Sequence, residues 1–125
     1  MREYRKRTQL AESRNPIHEE NCMSVIVTAV FTPVEGAHDR VVDALSASIP
    51  AVHEEAGCIL YTIHDSPSGT IVMIEKWQNA ELLDEHGSGD AVRALNARLD
   101  GLLACPVEVT RLVAIPTGRP EKGLL

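Results

Sequence analysis

Residues 58–77 read CILYTIHDSPSGTIVMIEKW, two β-rich runs around a turn from which the architecture can be worked out. Cys58–His64 and Thr70–Trp77 are rich in β-branched and aromatic side chains. Between them lie Asp65-Ser66-Pro67-Ser68-Gly69, a cluster of turn formers. Two such runs joined by such a turn predict an antiparallel hairpin. Side chains alternate across a strand, so Ile71, Met73, Glu75 and Trp77 share one face, and Tyr61 and His64 project from opposite faces.

Upstream of the hairpin, residues 24–32 (SVIVTAVFT) have the composition of a strand that ends at Pro33 and Gly36. From His38 to Ala56 the apolar positions Val41, Val42, Leu45, Ile49 and Val52 recur at helical spacing, with Gly57 as the C-terminal stop. Pro50 lies inside this helix, where the missing backbone donor costs about 3 kcal/mol unless the helix kinks, so a bend near Ile49 is expected. Downstream, Asn79 is placed to cap a short helix over Ala80–His86, which Gly87-Ser88-Gly89 interrupts. Asp90 then caps a longer helix carrying Val92, Leu95, Leu99, Leu102 and Leu103 as far as Cys105-Pro106. A last strand is predicted through Val107–Ala114.

The order β-α-β-β-α-β predicts an α+β, ferredoxin-like split fold, a four-stranded antiparallel sheet with its helices on one face. Strands rich in Val and Ile would leave the other face apolar and wet. A second copy packed sheet to sheet covers it most economically, so a homodimer is expected.

One domain accounts for the 125 residues, and a hydrophobic content of 44% suffices for its core. Residues 1–22 are polar and without period; they read as a flexible leader, an upstream-start artefact with Met23 as the initiator, or an arm that orders on a partner. The folded domain spans 23–115, and the Gly- and Pro-bearing segment 116–125 is expected to be a loose tail. Acidic residues number 18 against 12 basic ones, a balance that disfavours nucleic acid as a partner. Neither an eighteen-residue apolar window nor a secretory signal is present, so no membrane association and a cytoplasmic location are expected. Cys22, Cys58 and Cys105 show no C-x-x-C spacing and read as reduced, mostly space-filling thiols.

Three pieces read together: Glu54-Glu55-Ala56-Gly57-Cys58-Ile59-Leu60-Tyr61, then Glu75-Lys76-Trp77, then His86 in the following helix. With these residues the segment from about Val25 to Val113 resembles the antibiotic biosynthesis monooxygenase superfamily of small dimeric α/β-barrel proteins, which includes quinol monooxygenases and polyketide anthrone oxygenases. The resemblance implies a monooxygenase without flavin, metal or haem, in which an electron-rich quinol-like or polyketide aromatic reduces molecular oxygen, the co-substrate. Relatives often carry a second His five residues after the first, where this chain has Ala91.

His86 is the candidate base, because an imidazole can accept a phenolic proton near neutral pH. Trp77 is a candidate stacking surface for the aromatic ligand and Tyr61 a candidate hydrogen-bond partner for its oxygen. Glu75 is a candidate inward-facing carboxylate at the substrate, with a structural ion pair as its other reading. For Trp77 and Tyr61 the competing reading is plain core, and for His86 a surface or capping residue. His64 reads as structural, and His53 with Glu54-Glu55 as a solvated helix end. No metal-ligand spacing occurs. Two alternatives stand beside the oxygenase: a dimeric small-molecule binding protein without turnover, and a haem-degrading monooxygenase. Haem-degrading relatives resemble this chain at Trp77 and His86 but use a first-strand Asn where this chain offers Thr28 or Ala29, which argues against haem.

Overall fold

The computed structural model describes residues 24–125. Its elements are β1 (Val25–Phe31), α1 (His38–His53), β2 (Cys58–Asp65), β3 (Ile71–Trp77), α2 (Ala80–Gly87), α3 (Asp90–Leu99) and β4 (Glu108–Leu112). The strands form one sheet in the order β2-β3-β1-β4, every neighbouring pair antiparallel. This is the ferredoxin-like α+β arrangement expected from the sequence, with the second helical segment split into α2 and α3.

The hairpin follows the turn chemistry. Gly69 takes φ 93° and its N–H bonds the Ser66 carbonyl at 2.9 Å, a backbone state that L side chains adopt only with strain. Along β3 burial alternates, with Ile71, Met73, Glu75 and Trp77 inside. Ile71, Met73 and Trp77 meet Val41, Leu45 and Val52 of α1, Val27 and Phe31 of β1, and Leu83, Leu95 and Leu99 of α2 and α3 in one core. Trp77 is fully buried. β2 carries a bulge between Cys58 and Leu60, which leaves Ile59 exposed and restores the register that pairs Tyr61 with Glu75.

Several boundaries differ from expectation, the last strand among them, which covers Glu108–Leu112 and not Val107–Ala114. α1 ends at His53 and not Ala56, and it runs unbroken through Pro50. Pro50 and Ser46, whose carbonyl loses its partner, both lie on the exposed face, where water can take the lost donor's place. α3 is capped by Gly89, without a side-chain bond, and ends at Leu99; Leu102 and Leu103 fall in the following loop. That loop is pinned to the end of β1, since Val34 donates to the Leu102 carbonyl and Ala104 to that of Thr32.

The sheet face away from the helices presents Leu60, Thr62, Val72, Ile74, Thr28 and Val30, all half-buried, with Leu112 exposed. His64 lies on this face and bonds the Val72 carbonyl at 3.0 Å, opposite Tyr61 as the alternation requires. Among the described residues no helix is long and apolar enough to cross a membrane.

Candidate active site

The site assembles at the end of the sheet where β3 finishes. Asn79 takes the N-cap of α2 and accepts from the Leu82 N–H at 2.8 Å, as its sequence position predicts. Starting there, α2 turns Leu83 and His86, three residues apart, onto its buried side. The His86 ring lands against the Trp77 indole with centroids 4.6 Å apart and a tilt of 32°. Tyr61 meets the same imidazole edge-on at 5.5 Å. Trp77 in turn donates its Nε1–H to Glu75 Oε1 at 2.8 Å, a bond allowed by their two-residue spacing on one strand face. The four residues singled out from the sequence, His86, Trp77, Tyr61 and Glu75, therefore form one contiguous cluster.

A fifth member comes from the loop after α1. Glu55 accepts from, or shares a proton with, His86 Nδ1 at 2.7 Å. The loop is held in place by Gln78 N–H bonding the Gly57 carbonyl at 2.9 Å, which ties it to the end of β3. Gly57 sits at φ 86° directly under Leu82 of α2. This corrects the expectation of a solvated Glu54-Glu55 pair: Glu54 is exposed, but the Glu55 side chain is only 25% exposed and belongs to the site. The sequence held a signal, since a glycine two residues on supplies the turn that folds Glu55 back. It did not say which of two adjacent glutamates would face inward.

Because a carboxylate only accepts, the Glu55 contact places a proton on His86 Nδ1, so that in the neutral form of the ring Nε2 carries the lone pair. Among the described residues Nε2 has no hydrogen-bond partner. The neighbouring acids are tuned mainly by burial. Desolvation pushes the Tyr61 phenol well above its ordinary range, and the charges of Glu75, Glu55 and Cys58 add to it. Burial also raises Glu75, against the opposing effects of the Trp77 bond, His86 and Arg111. The Cys58 thiol is raised by burial and by Glu55 and Glu75, which keeps it protonated and a poor nucleophile.

A stability prediction follows for Glu75. Its folded-state value lies above the unfolded one, so the folded chain binds this proton more tightly, and stability is lost as pH rises through the carboxylate range. Glu75→Gln keeps an oxygen for Trp77 Nε1 and never ionises. It is expected to raise the melting temperature at neutral pH, with the gain disappearing once pH falls below the ordinary value of 4.5. Thermal unfolding measured from pH 3 to 8 checks this, and a Gln variant less stable at neutral pH would contradict it.

Residues 24–98 match the family model for antibiotic biosynthesis monooxygenases. The chain is 32% identical over 92 residues to Rv0793 of Mycobacterium tuberculosis, whose name calls it a candidate monooxygenase; the match covers 73% of this chain and 91% of that protein. The solved Rv0793 structure superimposes with a TM-score of 0.70, covering 77% of this chain and 99% of its own. SO0527 of Shewanella oneidensis, at 28% identity, gives a TM-score of 0.65 over 74% of this chain and 94% of its own. PA3566 of Pseudomonas aeruginosa shares the fold at 23% identity, with a TM-score of 0.69 over 76% of this chain and 97% of its own.

Proposed function

The chain belongs to the antibiotic biosynthesis monooxygenase family, and from that membership and the Glu55–His86 pair we propose that it is a cofactor-independent monooxygenase of quinol-like or polyketide aromatics. The observation that carries this reading is the 2.7 Å contact between His86 Nδ1 and Glu55, with the same imidazole packed against Trp77 and Tyr61. It describes a base oriented by a carboxylate beside two aromatic surfaces.

The chemistry runs as follows. A hydroxyl proton of the bound aromatic passes to His86 Nε2, and the electron pair stays on the substrate as phenolate or enolate. Glu55 stabilises the imidazolium. The electron-rich anion passes one electron to molecular oxygen, and the two radicals recombine as a carbon-bound peroxide. Loss of the remaining hydrogen of that carbon as a proton, with cleavage of the O–O bond, gives a carbonyl and water. Substrate supplies all the electrons, so neither flavin nor metal nor haem is required. Trp77 and Tyr61 border the ring, and burial keeps the Tyr61 hydroxyl a hydrogen-bond donor throughout. In this reading the open sheet face meets a second copy, sheet to sheet, and the dimer works in the cytoplasm.

The test is oxygen uptake by the purified protein without added cofactor, across hydroquinones and anthrones, each corrected for autoxidation. Uptake well above background is expected for at least one class. Ligands that quench the fluorescence of Trp77, the single tryptophan, but are never oxidised would instead make this a binding protein.

A further inference from the structure

Arg111 of β4 stands outside the segment that the family model matches, residues 24–98. The sheet register places it on a single rung running Tyr61, Glu75, Val27, Arg111 across β2, β3, β1 and β4. All four side chains point to the helix side. Two strand spacings separate Arg111 from Glu75, about 10 Å between their backbones. Its guanidinium reaches across to α2, where Nη2 donates to Asp84 Oδ1 at 2.7 Å, two residues before His86. The arginine thus arches from the sheet to the helix that carries the base. Helix-side positions on β4 are themselves open: Val109 is 61% exposed and the Arg111 side chain 51%. Solvent therefore reaches the guanidinium along β4, while its charge acts inward on Glu75, which is itself buried. Asp84 engages one N–H of a fork that holds several more, and among the described residues the others have no hydrogen-bond partner.

We propose that Arg111 is an anion-holding residue of the site, binding the substrate oxygen that becomes negative when its proton passes to His86. The proposal rests on the aromatic-hydroxyl reading above and names what that reading lacks, a cation in place before the proton moves. The O–H bond breaks, the proton goes to His86 Nε2, and the electron pair stays on oxygen opposite the guanidinium. Apart from the imidazolium that the transfer itself creates, whose charge Glu55 already offsets, the new anion would face Glu75 of β3, Asp84 of α2 and the Glu55 loop, all acidic groups, with the Tyr61 hydroxyl as the one other donor of the cluster. A charge so placed is stabilised only if a preorganised donor is already there. Arginine suits the task because its charge does not titrate in the working range.

Para-nitrophenol and para-nitronaphthol report this directly, because their phenol and phenolate forms have different colours and cannot be oxidised as quinols are. Binding is followed by Trp77 fluorescence and ionisation of the bound probe by absorbance. The intact protein is expected to favour bound phenolate about tenfold over the free probe at the same pH. Arg111→Gln should abolish that preference, and Arg111→Lys should keep part of it. Asp84→Asn, which frees the guanidinium from its partner, should strengthen it. A merely structural clasp between β4 and α2 would make Arg111→Gln and Asp84→Asn behave alike, and that result overturns the proposal. Unchanged phenolate preference in a folded Arg111→Gln protein overturns it too, leaving the oxygenase reading intact. Failure of either probe to bind the intact protein would remove the aromatic site itself, and with it both readings.

Discussion

His86→Ala is expected to slow oxygen uptake by about 10²–10⁴-fold, the usual contribution of a positioned general base. The dyad geometry is the reason. Glu55 engages Nδ1, so Nε2 is the imidazole nitrogen left without a partner among the described residues. Tyr61 is held protonated by burial, and Glu75 already accepts from Trp77. The alanine removes a ring packed between two aromatic neighbours, which costs about 1–3 kcal/mol and leaves a folded protein. Added imidazole should restore part of the rate by refilling the space. Glu55→Gln sharpens the test, since an amide NH₂ turned toward Nδ1 favours the tautomer with the proton on Nε2. It should lose nearly as much rate as His86→Ala while the melting temperature changes little. Initial rates and thermal unfolding measured side by side decide the matter. A His86→Ala protein with undiminished uptake would take the imidazole out of the mechanism.

Gly57→Ala should destabilise the fold by about 2–4 kcal/mol, more than any other single methyl added near the site. Two costs combine. The residue sits at φ 86°, where an L side chain costs about 1–2 kcal/mol. Its new Cβ would also lie 2.6 Å from Leu82 Cδ1 and 2.7 Å from Leu82 Cβ, and since no rotamer change moves a Cβ, α2 or the loop must shift. Since α2 carries His86 and the Gly57 loop carries Glu55, the same displacement pulls the dyad apart. Urea unfolding gives the stability loss, and the Leu82→Ala, Gly57→Ala double variant separates the causes. It should relieve the contacts with Cδ1 and Cγ but neither that with the Cβ, which alanine keeps, nor the backbone cost, so partial coupling between the two sites is expected. Purely additive effects would mean that the loop and α2 do not press on each other.

Much of the architecture is legible in local patterns. The Asp65–Gly69 turn, the two-residue alternation of β3 and the Asn79 cap each depend on a few adjacent residues, and each is found where the sequence puts it. α3 ends before its sequence pattern does, because Leu102 and Leu103 continue the helical period while the chain has already turned at Gly101, with φ 80°. Those leucines are drawn toward the end of β1 by the Leu102 and Thr32 carbonyl bonds, a contact between segments about 70 residues apart that no local period encodes.

The candidate site divides along the same line. That Glu75 and Trp77 share a face, and that His86 follows in a short capped helix, is fixed by strand and helix periods alone. Which glutamate of the Glu54-Glu55 pair meets the imidazole, and that Arg111 of the last strand reaches the helix bearing it, came only from the tertiary structure. Glu55 and His86 are 31 residues apart and Asp84 and Arg111 are 27 apart. Such pairs form because the sheet register and the packing of α2 bring distant backbones within side-chain reach, and neither hydropathy nor spacing along the chain carries that distance.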